Sequence, residues 1–265
     1  MPSKTFEETV PESTVQSPSQ PVQCEGGHPI ATGKVLAILP TYNEAENIET
    51  LIRELLNLPL PLSVLVIDDN SPDGTASIAQ ELGRSSGRVQ VIRRTGKMGL
   101  GSAYLEGFRY ALAKGHEFIL TMDADFSHDP KRIPFLVAAM GQADVAVGSR
   151  YGHPEGGVRD WPWYRKMLSW GANILARSCL GCGVRDWTSG FRCYRREVLA
   201  SLPLDRMMSQ GYSCLVELLD AVQAQGWKIA EVPIVFVDRR RGKTKISQWE
   251  VYKGAWTLLR LWARR

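Results

Sequence analysis

The sequence of 265 residues has no long uninterrupted run of apolar side chains. A membrane-spanning helix needs about 20 consecutive apolar residues, whereas the longest uncharged stretch, residues 55–67, is interrupted by Asn57, Pro59 and Pro61. The N-terminus also lacks the basic-then-apolar pattern of an export signal. We therefore expect a chain that does not cross a bilayer and that is not exported.

Cysteine is scarce, with five residues, an odd number. This usage is typical of reduced thiols in the cytoplasm rather than of a secreted disulfide framework. Cys179 and Cys182 have CxxC spacing, but neither a second pair nor a histidine cluster lies near them in the sequence. The pattern therefore gives little support for a zinc or redox centre.

The net charge is only +4, too mild to indicate a nucleic-acid-binding protein, but it is unevenly distributed. Residues 1–33 have one lysine against four glutamates, whereas residues 238–265 have nine lysines and arginines against two acids. The basic end indicates an anionic partner such as a phosphate group, a membrane surface or nucleic acid. RNA-binding signatures are absent, so we expect no nucleic-acid partner.

Composition divides the chain into a tail and a folded part. Residues 1–33 have too few large apolar side chains to offset the entropy of ordering, so they are predicted to be a disordered tail. From Lys34 onward, helical patterns alternate with short apolar runs at residues 35–39, 63–67, 89–92, 118–122 and 145–147. This repetition predicts an α/β fold, with a mostly parallel, Rossmann-like sheet and helices on both faces. No linker divides the remainder, so we predict one domain over residues 34–265.

The C-terminal part of that domain has a looser pattern. It predicts helices over about residues 165–180 and 213–225, a strand over 229–237, and a basic loop with an amphipathic helix from about residue 238. The last helix places Trp249, Tyr252 and Trp256 on one side. This arrangement fits an interfacial helix on an anionic membrane, and equally a helix that packs its apolar side on the core.

Two acids follow the fourth apolar run directly. In parallel sheets, ligands bind outside the carboxyl ends of the strands. Asp123 and Asp125 occupy that position, and their hard carboxylate oxygens suit Mg²⁺ or Mn²⁺ that bridges phosphates. The placement after a buried-looking strand favours this metal site over a solvated turn.

Acids also end the first two apolar runs. Glu44 follows the first run and Asp69 the second, and at neighbouring strand ends they could bind ribose hydroxyls or base edges. The alternative at the first position is helix capping, with Asn43 as the N-cap residue and Glu46 three residues later. The pattern alone leaves both interpretations open.

Cationic residues in the second half form two groups. Arg165 and Ser169 lie on one face of a predicted helix, and with Arg150 they could bind a phosphate dianion; a solvated helix face is the alternative. The second group lies in a glycine-containing loop and consists of Arg239, Arg241, Lys243 and Lys245. Such a loop could close over a diphosphate and neutralise the charge of the leaving group.

Six segments resemble the dolichol-phosphate, or polyprenol-phosphate, mannosyltransferases of glycosyltransferase family 2, which have the GT-A fold. The segments are LPTYNE (39–44), IDDNSPDGT (67–75), MDADFSHDP (122–130), GSRY (148–151), TSGFR (188–192) and DRRRGKTK (238–245). The resemblance extends over about residues 34–262 and rests on these long segments rather than on the DxD pair alone.

The resemblance implies inverting transfer of mannose from GDP-mannose to polyprenyl phosphate, with Mg²⁺ or Mn²⁺, at the cytoplasmic face of a membrane. The residues implied to hold the guanosine are Pro40, Tyr42, Glu44, Ile67 and Asp69. The residues implied at the diphosphate and metal are Asp123, Ala124 and Asp125, and those implied at the other phosphate contacts are Arg150, Arg239 and Lys245. Of these, Asp125, Arg150 and Arg239 are the expected catalytic residues, and the two aspartates of DxD are the expected metal ligands.

Two features depart from the pattern of the family. The basic loop reads Gly-Lys-Thr-Lys over residues 242–245 where many relatives have Gly-x-Ser-Lys. The C-terminal membrane spans of some relatives are absent, so membrane contact is expected through the protein's own surface or through a membrane-anchoring partner subunit. Two alternatives stay open: a UDP-sugar donor, as in a polyprenyl-phosphate glucosyltransferase, and a nucleotide-sugar-binding subunit without turnover.

The implied reaction needs no strong general base. A phosphate monoester, with a second pKa of about 6, is already largely anionic near neutral pH. The lack of a Ser-His-Asp or Cys-His pattern is therefore expected. The remaining tasks are to position the acceptor for in-line attack on the sugar and to stabilise the departing diphosphate.

Overall fold

The structure, a computed structural model, describes residues 33–181, 183–207, 211, 213–238 and 248–264, and in the last range the side chains from Tyr252 onward. The predicted tail, apart from Gly33, lies outside the described residues. So do Arg239, Lys245 and the rest of the basic loop, together with the side chain of Trp249.

The described residues form nine strands and eight α-helices. The strands are β1 (Val35–Thr41), β2 (Leu62–Asp68), β3 (Val89–Arg93), β4 (Phe118–Thr121), β5 (Val145–Ser149), β6 (Gly157–Arg159), β7 (Arg192–Arg195), β8 (Ile229–Pro233) and β9 (Val235–Val237). The helices are α1 (Ala45–Leu56), α2 (Thr75–Ser86), α3 (Leu100–Lys114), α4 (Ile133–Ala139), α5 (Trp163–Leu180), α6 (Arg196–Ser201), α7 (Ser213–Ala224) and α8 (Gln248–Trp262).

The main sheet has seven strands in the order β3-β2-β1-β4-β7-β5-β8. All neighbouring pairs are parallel except the two that β7 makes with β4 and β5. Strands β6 and β9 form a separate parallel pair. The prediction of a mostly parallel α/β sheet is therefore confirmed.

Both faces of the sheet are covered because successive strand residues point to opposite sides. From β1, Leu36 and Ile38 pack in one apolar cluster with Tyr104 and Phe108 of α3. The alternate residues of β1, at positions 35, 37 and 39, pack in a second cluster with α1 and α4. A strand buried on both sides needs the near-continuous apolar sequence that made these strands recognisable.

The prediction of one continuous strand over residues 229–237 is wrong. The chain leaves the main sheet after β8, and Ile234, which is buried, donates its backbone N–H to Ser149 O at 3.0 Å. Pro233 has no N–H with which to extend the ladder. The following residues form β9 beside β6 instead, so this segment turns toward the ligand-binding edge of the sheet.

The predicted N-cap of α1 is also wrong. The helix begins at Ala45, and Asn43 has a left-handed backbone with φ of 56°. The N–H groups at the helix start are satisfied by the next strand-end loop, because Glu44 N donates to Thr75 Oγ1 at 2.9 Å and Ala45 N donates to Asp73 Oδ2 at 3.0 Å. The loops after β1 and β2 are thereby joined into one unit.

Helices α5 and α8 lie side by side. Nearly all of the large exposed apolar side chains of the described residues lie on the exposed surface of these two helices. We call this surface the aromatic face; it consists of Trp163, Tyr164, Met167, Leu168, Trp170, Ile174, Leu175, Tyr252, Trp256, Leu259 and Trp262. Among the described residues, no helix combines the length and the apolar character that crossing a membrane would require.

Candidate active site

The carboxyl ends of β1, β2, β4 and β5 meet at one edge of the main sheet. Strands β1, β2 and β4 are mutually parallel, and β5 shares their direction because β7 is antiparallel to both β4 and β5. The residues that follow these four strands therefore share this edge. They include Glu44, Asp69, Asp123 and Arg150, four of the predicted site residues.

The DxD segment forms a tight loop after β4. The backbone N–H of Asp123 donates to His128 Nδ1 at 3.1 Å, and Ser127 N donates to Asp125 Oδ1 at 3.1 Å. Asp125 and Ala124 are buried, whereas Asp123 is partly exposed. These contacts hold the two carboxylates at the sheet edge.

His128 is a further residue of this loop, and no sequence pattern predicts a role for it. It is fully enclosed, and burial lowers its pKa to about 4, although Asp125 acts in the opposite direction. The ring is therefore neutral near pH 7, with Nδ1 accepting the hydrogen bond from Asp123. Its position inside the loop supports the geometry of both DxD carboxylates.

The DxD loop fits a hard divalent cation. Carboxylate oxygens are the ligands that Mg²⁺ and Mn²⁺ prefer, and the buried hydroxyl of Ser127 has no hydrogen-bond partner among the described residues. Within that part of the chain, no group of three or more His, Cys, Asp or Glu side chains could hold a metal. Asp123 and Asp125 are the residues of this loop that would hold such a cation.

Arg150, predicted to bind phosphate, is held by another protein residue. Its guanidinium makes a two-pronged ion pair with Asp186, with Nε–Oδ2 and Nη2–Oδ1 distances of 2.7 Å, and it also donates to Thr188 Oγ1 at 2.6 Å. Burial alone would raise the pKa of Asp186, but the charge and hydrogen bonds of Arg150 hold it below its ordinary value. Nothing in the sequence pattern had singled out Asp186.

Arg165 and Ser169 lie on the inner side of α5, one helical turn apart. Arg165 Nη1 pairs with Asp238 Oδ1 at 2.9 Å, and its guanidinium carbon lies 4.1 Å from the ring centroid of Trp161. Ser169 Oγ accepts a hydrogen bond from the Tyr151 hydroxyl at 2.8 Å. Since Asp238 directly precedes the basic loop, Arg165 lies beside the start of that loop.

The alternative prediction for α5, a solvated polar face, fits neither of its sides. The inner side makes the contacts just described, and the opposite side contributes seven members of the aromatic face. The helix contains three cationic residues and no acidic residue. Of these cations Lys166 is exposed, whereas Arg165 lies on the inner side, so the outward surface is mainly apolar with one exposed cation.

The expected nucleoside residues surround the ends of β1 and β2. Asp69 is buried and accepts hydrogen bonds from Arg94 Nε at 2.5 Å and from the backbone N–H of Gly99 at 3.2 Å. Gly99 has φ of 90°, which favours glycine. No local sequence pattern singles out Arg94, which is buried and also donates to Ser102 Oγ at 2.6 Å.

The other expected nucleoside residues differ in accessibility. Pro40 and Tyr42 are partly exposed, and the Lys97 ammonium lies 4.7 Å from the ring centroid of Tyr42. Glu44 is buried and accepts a hydrogen bond from Asn47 Nδ2 at 2.9 Å. Ile67 is fully buried in the core beneath α3, so only its backbone borders the edge.

Comparisons with known proteins identify the family. The model of the family described as "Glycosyl transferase family 2" matches residues 36–202, which is more than half of the chain. A polyprenol monophosphomannose synthase of Mycolicibacterium smegmatis is 44% identical over 218 residues, which cover 82% of each chain. An undecaprenyl-phosphate mannosyltransferase of Micrococcus luteus is 41% identical over 214 residues, which cover 81% of this chain and 88% of the relative.

A solved structure supports the fold independently. Glucosyl-3-phosphoglycerate synthase from Mycobacterium tuberculosis, in complex with Mn²⁺ and UDP, superposes with a TM-score of 0.64 at 22% identity. The match covers 88% of this chain and 81% of that chain. This chain is therefore a glycosyltransferase that belongs to family 2 and has the GT-A fold.

Proposed function

We propose that this chain transfers mannose, with inversion, from GDP-mannose to a polyprenyl phosphate and so produces a lipid-linked mannose donor. The observation that carries the proposal is the identity of more than 40%, over four-fifths of the chain, to a polyprenol monophosphomannose synthase and an undecaprenyl-phosphate mannosyltransferase. The acidic loops at the sheet edge support the same reaction. The loops after β1 and β2 can bind the nucleoside of a donor, and the DxD loop can bind its diphosphate.

The donor would lie along the ends of β1, β2 and β4. Its nucleoside is proposed to contact Tyr42, Glu44 and Asp69, and its diphosphate the DxD loop. A divalent cation, Mg²⁺ or Mn²⁺, held by Asp123 and Asp125 would neutralise charge on the departing diphosphate. The buried Ser127 hydroxyl, which has no partner among the described residues, supports a ligand with oxygen acceptors at this loop.

The acceptor phosphate needs positioning rather than deprotonation. Arg165 and Ser169 are proposed to orient it for attack on the sugar, with Arg239 and Lys245 of the basic loop completing the phosphate contacts. Arg150 is proposed to act without binding the acceptor phosphate, because two nitrogens of its guanidinium already donate to Asp186. Held in place, it contributes a fixed positive charge whose field reaches Asp123.

The aromatic face supports a lipid acceptor. Tryptophan and tyrosine with flanking cations are typical of helices that lie in the headgroup region of an anionic membrane. We propose that α5 and α8 rest on the cytoplasmic face of a membrane, which would place the polyprenyl chain beside α5, the helix that contains Arg165 and Ser169. No nucleic-acid partner is proposed. A membrane-anchoring partner subunit is the alternative occupant of this face, and binding to protein-free vesicles distinguishes the two.

The direct test is transfer of labelled mannose by the purified chain. GDP-mannose, Mn²⁺ or Mg²⁺, and either polyprenyl phosphate or the corresponding polyprenol are supplied in detergent, with and without EDTA. The proposal predicts label in the lipid phase only with the phosphorylated acceptor, and its loss in EDTA. Equal transfer to polyprenol, or no transfer with polyprenyl phosphate, would overturn it.

A further inference from the structure

Four aromatic rings form a continuous row that begins beside the DxD loop. The His128 ring stacks on Phe191 with centroids 4.9 Å apart, and it meets Phe236 edge to face at 5.2 Å. Phe236 in turn meets Trp161 edge to face at 5.2 Å. We call these four rings, in the order Phe191, His128, Phe236 and Trp161, the aromatic row.

Two rings of the row, His128 and Trp161, contact different halves of the site. Next to the Phe191 end, His128 accepts the hydrogen bond from the backbone N–H of Asp123 in the DxD loop. At the other end, Trp161 lies beneath the guanidinium of Arg165, at 4.1 Å from the ring centroid. The row therefore connects the loop proposed to hold the donor diphosphate with a cation proposed to hold the acceptor phosphate.

Phe236 is the inner ring between His128 and Trp161, and it lies on β9, outside the main sheet. The next residue, Val237, donates its backbone N–H to Ser127 O in the DxD loop at 3.3 Å. The residue after that, Asp238, pairs with Arg165. Phe236 thus stands where the DxD loop and the start of α5 are joined by ring contacts, a backbone hydrogen bond and an ion pair.

We propose that Phe236 is a positioning residue that sets the separation between the DxD loop and Arg165 through the rings of the aromatic row. The inference rests on the proposed function, since it assigns the contacts of His128 and Trp161 to donor and acceptor. An edge-to-face pair has a preferred centroid separation of about 4.5–7 Å, which an aliphatic side chain does not impose. Displacement of reacting groups by about 1 Å can lower a rate by roughly 100-fold.

The kinetic test compares Phe236→Leu with Phe135→Leu, a matched substitution on α4 outside the row. Mannose transfer to the soluble acceptor farnesyl phosphate is measured, and the affinity for GDP with Mn²⁺ is measured by calorimetry. We expect Phe236→Leu to lower kcat by about tenfold or more, with the GDP–Mn²⁺ affinity and the acceptor KM changed less than about threefold. Phe135→Leu should leave all three values unchanged.

Two results would overturn the inference. One is an unchanged kcat in Phe236→Leu. The other is a loss of GDP–Mn²⁺ affinity in proportion to the loss of kcat, which would indicate general damage to the donor site. If the wild-type chain transfers no mannose at all, the proposed function fails instead, so the two failures are distinguishable.

A second measurement, which needs no turnover, reports the distance between Trp161 and the DxD loop. The chain is labelled with 5-fluorotryptophan, and the Trp161 resonance is assigned by its absence in Trp161→Phe. Bound Mn²⁺ broadens a fluorine signal to an extent that falls steeply with distance, so the broadening of Trp161 reports its distance from the DxD loop. We expect this broadening to change in Phe236→Leu and not in Phe135→Leu; equal broadening in both variants would contradict the positioning role.

Discussion

Arg150 and Asp186, which are 36 residues apart in the chain, form a buried two-pronged ion pair beside the DxD loop. The guanidinium is also surrounded by the rings of Tyr151, Trp161 and Phe236, at 5.4–5.7 Å from their centroids. Both charges are therefore shielded from water. The Arg150 guanidinium is therefore a fixed positive charge at the site. Its orientation depends on Asp186.

Replacing Asp186 with asparagine should destabilise the fold strongly. The variant leaves the Arg150 charge buried without its partner, which typically costs about 3–5 kcal/mol. The control is Asp205→Asn, because Asp205 pairs with Arg109 at the surface, with 87% and 56% of the two side chains exposed; such pairs contribute about 0–1 kcal/mol. Urea denaturation of both variants measures the free energies of unfolding, and equal losses would contradict the account.

Asp125→Asn should remove most of the metal-dependent activity. Loss of a charged ligand at the departing diphosphate is expected to raise the barrier by several kcal/mol, which corresponds to a kcat lower by about 100-fold or more. The matched control is Asp129→Asn, an exposed acid four residues later whose Oδ1 accepts a hydrogen bond from Lys131 N. Mn²⁺ affinity and kcat are measured together. Near-normal values of both in Asp125→Asn would refute the metal site.

His128 should make stability fall in acid. The unfolded histidine takes up a proton below its ordinary pKa of 6.5, whereas the buried ring in the folded chain does so only near 4. The unfolded state therefore binds more protons between those values, so the stability due to a neutral His128 is complete above about pH 6.5 and is lost as the pH falls toward 4. At pH 5 this linkage amounts to about 2 kcal/mol.

The control for the pH effect is His128→Asn, which keeps a side-chain acceptor and cannot titrate. Urea denaturation at pH 7.5 and pH 5 gives the free energy of unfolding of both proteins. The stability advantage of the wild type over the variant should shrink by about 2 kcal/mol on going to pH 5. Parallel pH profiles for the two proteins would show that the ring does not stay neutral in the fold.

The aromatic face should bind anionic vesicles, and Trp170→Glu should weaken that binding. Removing an indole from the interface costs about 1.5 kcal/mol or more, which is about tenfold in partitioning, and the added negative charge acts in the same direction. Met98→Glu is the control, because Met98 is equally exposed, at 57% against 58%, but lies outside this face. Vesicle sedimentation without substrates measures both. Equal binding by the two variants would exclude α5 as the contact.

The sequence predicted those parts of the fold that depend on continuous apolar strands. Strands β1, β2 and β4 are covered on both sides, so their composition identifies them, and their common direction places Glu44, Asp69 and Asp123 at one edge. Strand β7 was not predicted, because its sequence RCYR looks polar. Its Arg192 is nevertheless fully buried, with the guanidinium donating to backbone carbonyls of Trp187, Ser189 and Leu215.

Partnerships between distant residues could not be predicted from local patterns. Asp69 fits a ribose ligand by its position after β2, yet both of its oxygens accept hydrogen bonds from the segment around Arg94 and Gly99. The start of α1 is capped by Asp73 and Thr75 rather than by its own N-terminal residues. In each case the pairing depends on how two loops meet in space.

The measurement that tests the central claim most directly is a donor competition in one reaction. The purified chain is given polyprenyl phosphate in anionic vesicles, Mn²⁺, and equal concentrations of GDP-[³H]mannose and UDP-[¹⁴C]glucose. The account predicts tritium in the extracted lipid, carbon-14 at background, and neither label with Asp125→Asn. Carbon-14 in the lipid with tritium at background would contradict mannose transfer and assign the chain to a UDP-sugar.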